Sequence, residues 1–183
     1  MNEYGIELRG IQPKDLPQLR RWRNRPDIRL RMVNTKYISA CEHVQWFSKM
    51  LVDESQVHWA LWVGEALVGY AGIKGRLNTN LFGQEVVETG LYIGVNQEKF
   101  DFPLSLAAAL TQLDYVFMIL KVRKVKTLVR SDNQVAKRFN KVLGYSLRKF
   151  DINFDEQMLD GRQYLKAKSF LLPIFNQERK YGN

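Results

Sequence analysis

The stretch Leu104–Leu120, LSLAAALTQLDYVFMIL, constrains this chain more than any other. Leu106, Leu110, Leu113, Phe117 and Leu120 recur at alternating four- and three-residue steps, the spacing that lines up one face of an α-helix. Thr111, Gln112 and Asp114 interrupt the run, so it reads as a buried helix and not as a membrane span. Such a helix needs a domain around it, and 183 residues are enough for one with its own core. No repeat, low-complexity tract or linker-like stretch divides the chain, so residues 1–183 read as a single domain.

Strand-like segments surround that helix. GIELRGI (Gly5–Ile11) alternates well enough for a first strand. VHWALWV (Val57–Val63) and ALVGYAGI (Ala66–Ile73) are joined by a tight Gly-Glu connection and predict a hairpin. VVETGLYIGV (Val86–Val95) is a third long strand, and VKTLVRS (Val125–Ser131) another. YSLRKFDINF and RQYLKAKSFLL read as two closing strands. Helices fall between them. PKDLPQLRRWRN has Pro13 and Asp15 at its start, and Trp22 is placed to anchor its end in the core. SACEHVQWFSKMLVDES opens with Ser39 and Glu42 in capping-box spacing. Asp132 or Asn133 can cap NQVAKRFNKVLG, and Gly144 stops it. The fold class is therefore mixed α/β, with a mostly antiparallel twisted sheet flanked by about four helices.

Net charge is +9, which favours anionic partners without choosing among them. Six arginines crowd between Arg20 and Arg31, with Asp27 as the one acid among them. The cluster lacks interleaved aromatics and the chain has no RNA-binding motif, which argues against nucleic acid. The single cysteine, Cys41, forbids an internal disulfide, and the N-terminus shows no signal-peptide pattern; both suit the cytoplasm. Cys41, His43 and His58 are scattered and give no metal-ligand spacing, so no metal is expected.

The order of elements, with the residues it carries, resembles the GNAT acetyltransferase superfamily. IELRGIQPKDLPQLRRWRNRPDIRLRM, with EHVQWF behind it, resembles one branch of it. That branch holds ribosomal-protein N-terminal acetyltransferases and enzymes that acetylate nucleotide-linked aminosugars, and WRN-P-IR…M…H..WF lies closer to the aminosugar group. ETGLYIGV resembles the superfamily's central strand, and NQVAKRFNKVLGY its last conserved helix. The likeness runs from about residue 5 to residue 172.

The resemblance implies an N-acetyltransferase with acetyl-CoA as co-substrate and a small primary amine, carried on a nucleotide, as acceptor. It leaves a homodimer open. Glu88 matches the carboxylate that relays the amine's proton; as a bare residue it is equally a structural acid on a strand. The backbone of Leu91, Ile93 and Val95 would pair with the pantetheine arm, and an N–H near Ile93 or Gly94 would polarise the thioester oxygen. Phe102, Leu104 and Ser105 fall on the cofactor's phosphate side. Asn133 matches a cofactor-contacting asparagine or simply caps its helix. Arg23, Asn24, Arg29 and His43 resemble acceptor-side residues, where arginine's planar fork suits a diphosphate; the bland reading is a solvated basic face. Lys121, Arg123, Lys124 and Lys126 either meet the cofactor's 3′-phosphate or form a solvated turn.

Two departures stand out. The superfamily's glycine-rich phosphate loop is replaced by NQEKFDFPLSLAAAL, which has no glycine, with Phe100, Pro103 and Ser105 at the key positions. The helix N-terminus remains as an anion site. The tyrosine that many relatives use to protonate the leaving thiolate is Asn140 here, still on the cofactor side. Acetyl-CoA binding weaker than that of a glycine-loop relative is expected. The rival readings are a protein N-terminal acetyltransferase and a non-catalytic GNAT-fold protein that binds a nucleotide-like ligand or a protein partner. Phe100 or Phe102 would then plug the cleft, or simply fill core.

Overall fold

The computed structural model describes residues 4–178. Strand β1 (Glu7–Gly10) leads through a turn at Pro13–Asp15 into α1 (Leu16–Asn24), the one-turn α2 (Pro26–Arg29) and α3 (Ala40–Met50). Then come β2 (Gln56–Val63), β3 (Ala66–Lys74), β4 (Val86–Ile93), α4 (Leu104–Asp114), β5 (Lys124–Arg130), α5 (Gln134–Val142), β6 (Ser146–Phe150), β7 (Phe154–Asp160) and α6 (Gly161–Glu178). The seven strands form one sheet in the order β1-β2-β3-β4-β5-β7-β6. Every neighbouring pair is antiparallel except β4 and β5, which run parallel. No helix among the described residues is long and apolar enough to cross a membrane.

Helices cover both faces. Leu16, Leu19, Trp22, Ile28 and Phe47 of α1–α3 pack on Trp62, Tyr70 and Tyr92 of the sheet. On the opposite face lie α4, Tyr164, Leu171 and Phe175 of α6, and Phe139 of α5. Every residue of α4 except Ser105 is buried, as its composition requires. Its three polar residues are all satisfied. Thr111 Oγ1 donates to its own helix at Ala107 O (2.8 Å), and Gln112 Nε2 donates to Gly72 O (2.9 Å). The Asp114 carboxylate accepts from the Tyr4 and Tyr164 hydroxyls and from Lys168 Nζ, at 2.7, 2.5 and 2.8 Å.

Three expectations are corrected. RQYLKAKSFLL is part of α6 and not a strand: Tyr164, Leu171 and Phe175 repeat at helical spacing and close over α4. The helices number six among the described residues and not four, α2 and α6 being the additions. YSLRKFDINF is likewise two elements, since the chain turns back at Asp151–Asn153 to start β7.

Candidate active site in the splayed sheet

The site grows from a fault in the sheet. β4 and β5 pair over only three residue couples, Val86–Lys124, Val87–Val125 and Glu88–Lys126. Thr127 Oγ1 then reaches Thr89 O (3.2 Å), and beyond that the strands part. β5 continues against β7 to Arg130, while β4 continues against β3 to Ile93. The alternation of strand hydrogen bonds shows what the parting exposes. Gly94 N–H bonds to Val68 O on the β3 side, in the same register as the whole β3–β4 ladder. The N–H and C=O groups of Leu91 and Ile93 therefore point the other way, toward the gap left by β5. They form a short unpaired strand edge inside the sheet. Gly94 is excluded from that role, because Val68 holds its N–H and Arg25 Nη1 donates to its carbonyl.

A cleft of about 1010 Å³ opens at this gap. One part faces α4 and α5, where Leu91, Ile93, Ser105, Asn133 and Asn140 border it. The other faces α1–α3, where Arg23, His43, Trp46, Tyr70 and Tyr92 do. Glu88, Gly90 and Tyr92 alternate with Val87, Thr89 and Leu91 along β4, so Glu88 belongs to the α1–α3 face. Its carboxylate sits 3.5 Å from Lys126 Nζ on β5 and directly opposite Lys74 on β3. Next to it, Gly72 and Gly90 face each other across β3 and β4, and a side chain at Gly90 would meet open space. Gly90 leaves a bare patch at the centre of the cleft floor, beside the hollow over Gly72 that the Tyr70 hydroxyl and His58 Nδ1 fill.

The cofactor side holds fewer of the expected residues. Phe100 and Phe102 pack against the core, Phe102 over Gly5, and neither lies among the residues that border the large cleft. They border a shallower depression at the start of α4 instead, beside Ser105 and Phe139. Pro103 is the residue before the helix and not one of its first turn. Leu104 does not face the cleft: its side chain is fully buried and its N–H is bound by Gln97 Oε1 at 2.7 Å. Gln97 Nε2 also bonds Phe102 O (2.6 Å), so one glutamine closes the start of α4, and the free N–H groups there are those of Ser105 and Leu106. Val95 packs between the two cores. Asn133 caps α5 through Ala136 N (3.1 Å) while bordering the cleft, and Asn140 donates to Gln157 Oε1 (2.8 Å). Behind Asn140 the sequence reading missed Tyr145, whose hydroxyl meets Thr89 Oγ1 at 3.2 Å and is held up at about 12 by burial.

The arginine cluster has a physical explanation that its composition hides. Arg23 Nη2 donates to Asn34 O, Arg29 Nη1 to Thr35 O, and Asn24 exchanges two bonds with the Ile38 backbone. These residues strap the 33–38 segment onto α1, and that segment forms a wall of the cleft. Asn24 is thereby held on both its amide oxygen and its nitrogen, and Asn24 and Arg29 stand outside the residues that border the cleft. Arg23 and His43 do border the cleft. Arg23 Nη1 and His43 Nδ1, both buried, have no partner, and neither does Arg29 Nε. Burial, with the charges of Arg20 and Arg23, pushes the His43 imidazole down from its usual range. Trp22 is buried as expected, and its ring lies flat on Gly94, where only glycine leaves room for it.

No family model matches the chain, and no curated protein matches it. Solved structures do. Spermidine N-acetyltransferase from Vibrio cholerae, in complex with CoA and spermine, superposes with a TM-score of 0.73 at 19% identity, over 88% of this chain and 98% of that one. The nucleotide-linked sugar GNAT FdhC, in its apo form, gives a TM-score of 0.75 at 14% identity, over 94% and 96%. The N-acetyltransferase PseH from Campylobacter jejuni gives 0.65 at 19%, over 86% and 99%. At such identities the shared property is the fold, including nearly the full length of each of these proteins.

Proposed function

This chain has the fold of the GNAT acetyltransferases, and from that premise we propose that it is an N-acetyltransferase moving acetyl from acetyl-CoA directly to a primary amine on a nucleotide-linked aminosugar. The observation that carries the reading is the bare edge of β4 at Leu91 and Ile93, open to a cleft that reaches both faces of the sheet. Acetyl-CoA supplies an acyl group already activated as a thioester. Leu91 and Ile93 offer the alternating N–H and C=O groups that a chain of pantetheine amides pairs with. With Gly94 spent, Ile93 N–H is the donor left to face the thioester oxygen. Ser105 and Leu106 N–H, at the positive end of α4, hold the anionic arm. Asn133 borders the same side. On the other face Glu88 takes the proton that the amine sheds, directly or across one water.

The acceptor class follows from the charges around the α1–α3 end. The solved neighbours include a protein complexed with spermine and one described as a nucleotide-linked sugar GNAT. A polyamine needs carboxylates, and here Asp27 is paired with Arg25 while Glu42 caps α3 at Ser39. Arg31 and Lys36 border the same end, and Arg23 Nη1 is an unpartnered donor. An oxygen-rich, anionic acceptor suits that end and a polycation does not.

A second reading has one observation in its favour. Gln97 fills the place at the start of α4 where a diphosphate would sit, which a non-catalytic member could tolerate. Purified protein with labelled acetyl-CoA and a panel of amines separates the two. Transfer to nucleotide-linked aminosugars, little to free aminosugars and none to spermidine is expected. Label that reaches no amine sinks the enzymatic reading.

A further inference from the structure

We propose that Tyr70 of β3 receives an N–H of the acceptor amine, its hydroxyl locked as a hydrogen-bond acceptor by a part-buried chain of bonds that runs through the buried His58 and through Gln56 to Asp53. The inference rests on the acetyl-transfer reading and adds a residue to its acceptor side.

The chain of bonds has one consistent direction. Asp53 accepts from Ser55 N–H (2.9 Å) and Ser55 Oγ (2.6 Å), and these bonds hold its carboxyl below the usual carboxylate range, so it is ionised and only accepts. Gln56 bonds to that carboxylate, which requires its NH₂ group to face Asp53. Gln56 Oε1 is then the atom turned toward His58 Nε2, at 2.7 Å, and an oxygen there can only accept. His58 must carry its proton on Nε2. Its Nδ1 is left bare and meets the Tyr70 hydroxyl. Tyr70, which borders the cleft, therefore donates inward, and what its oxygen has left for a ligand is lone pairs alone. His58 is 4% exposed, and burial together with the Lys74 charge, partly offset by Asp53, brings its imidazole down to about 4, so the ring stays neutral near pH 7.

The placement of the hydroxyl is equally specific. A Cβ on Gly72 would lie 2.6 Å from both the Tyr70 hydroxyl and His58 Nδ1, so the pair meets in the space that the missing side chain leaves. Gly72 faces Gly90, and the next couple along the strands is Lys74 with Glu88. The bare patch at Gly90 is thus rimmed by one acceptor on each side, the Tyr70 oxygen and the Glu88 carboxylate. A primary amine has two N–H bonds and one lone pair. Two acceptors on opposite rims fix both N–H directions, and the direction left over belongs to the lone pair that attacks. Tyr70 touches the acceptor; His58, Gln56 and Asp53 act through it as positioning residues.

Two measurements test this. Nitrogen-15 NMR of the histidine-labelled protein near pH 7 is expected to show His58 neutral and protonated at Nε2; a proton on Nδ1 would reverse the hydroxyl and overturn the proposal. Kinetics of Tyr70→Phe are expected to show acceptor KM raised about tenfold, with acetyl-CoA Kd unchanged; that is the scale of one lost hydrogen bond. His58→Gln, which lets the hydroxyl turn outward, is expected to raise KM by a smaller factor. If the wild type transfers acetyl and Tyr70→Phe keeps both its KM and kcat, the Tyr70 role is wrong while the transfer reading stands. If the wild type acetylates no amine, the transfer reading fails and takes that role with it, whatever the tautomer.

Discussion

At the scale of single residues, the site depends on which groups are already spent. Glu88 is not held by a backbone cap or a bidentate arginine; its one ion pair, with Lys126, is half exposed and 3.5 Å long. A carboxylate so loosely tied is available for proton transfer. Glu88→Gln keeps the shape and removes the base, so kcat is expected to fall by about 10²–10⁴ with acetyl-CoA affinity unchanged. A loss of melting temperature with kcat intact would make Glu88 structural. His58 supports a second prediction. Its imidazole lies at about 4 in the fold against 6.5 when unfolded, so below pH 6.5 the unfolded chain binds the extra proton. Stability is then full above pH 6.5 and is lost as the pH falls from 6.5 toward 4, by up to about 3 kcal/mol. His43 is shifted in the same direction and adds to the slope. Urea midpoints across that window are expected to fall more steeply for the wild type than for His58→Gln. The sequence pointed to Glu88 and to the unpaired amides of Leu91 and Ile93, but not to Tyr70 or His58. Nothing in the local pattern says that Gly72, fourteen residues after His58, clears a space for two side chains to meet. Trp22 over Gly94 was hidden for the same reason, since a close approach across elements leaves no periodic signal.

At the scale of elements, legibility followed self-sufficiency. α4 announced itself because its spacing alone demanded burial, and α3 because Ser39 and Glu42 carry both halves of its capping box. α6 was misread because RQYLKAKSFLL mixes basic and apolar residues without a clean stripe, and its helical face becomes evident only where it meets α4. The link between the two is Asp114, 3% exposed, holding Lys168 and two tyrosine hydroxyls. Asp114→Ala removes the carboxylate that pairs with the half-buried Lys168 ammonium and accepts from two tyrosine hydroxyls, a change that costs about 3–5 kcal/mol in such settings. For a domain of this size that is a fall of roughly 10 °C in Tm. Differential scanning calorimetry checks it, and a fall of under about 2 °C would mean that α6 does not depend on this contact. The arginine cluster belongs at this scale too. Arg20, Arg23 and Arg29 bind Tyr37, Asn34 and Thr35, and Arg25 binds Gly94 at the end of β4, so half of what looked like a charge patch fastens a wall and one more arginine ties α2 to the sheet.

At the scale of the whole molecule, the proposed transfer would bring its two reactants to the gap in the sheet from different faces. The donor's edge, Leu91 and Ile93, is approached from the α4–α5 side, while Glu88, Tyr70 and Arg23 lie toward α1–α3. Among the described residues, the donor side is bordered by Ser105 and by no cysteine or histidine that could form or activate an acyl carrier. Cys41 is exposed on α3, and it is the only cysteine. In the proposed transfer the amine therefore attacks while the donor is still in place, with both bound together. Initial-rate patterns are expected to intersect when one substrate is varied at fixed levels of the other, and no radiolabelled acyl-enzyme should survive denaturation. Parallel lines with a trapped acyl group would overturn direct attack and point to a covalent carrier such as Ser105. The same geometry limits donor affinity. With Gln97 on Leu104 N–H and no glycine in the 96–103 segment, the diphosphate is left with two amides and a helix dipole worth about 0.3–1 kcal/mol in an exposed setting. Calorimetry is expected to give a Kd for acetyl-CoA well above about 1 μM, which corresponds to less than about 8 kcal/mol of binding free energy. Gln97→Ala frees a third amide and should tighten binding. If the wild type binds with sub-micromolar affinity, the β4 edge contributes far more of the donor's hold than the helix terminus does.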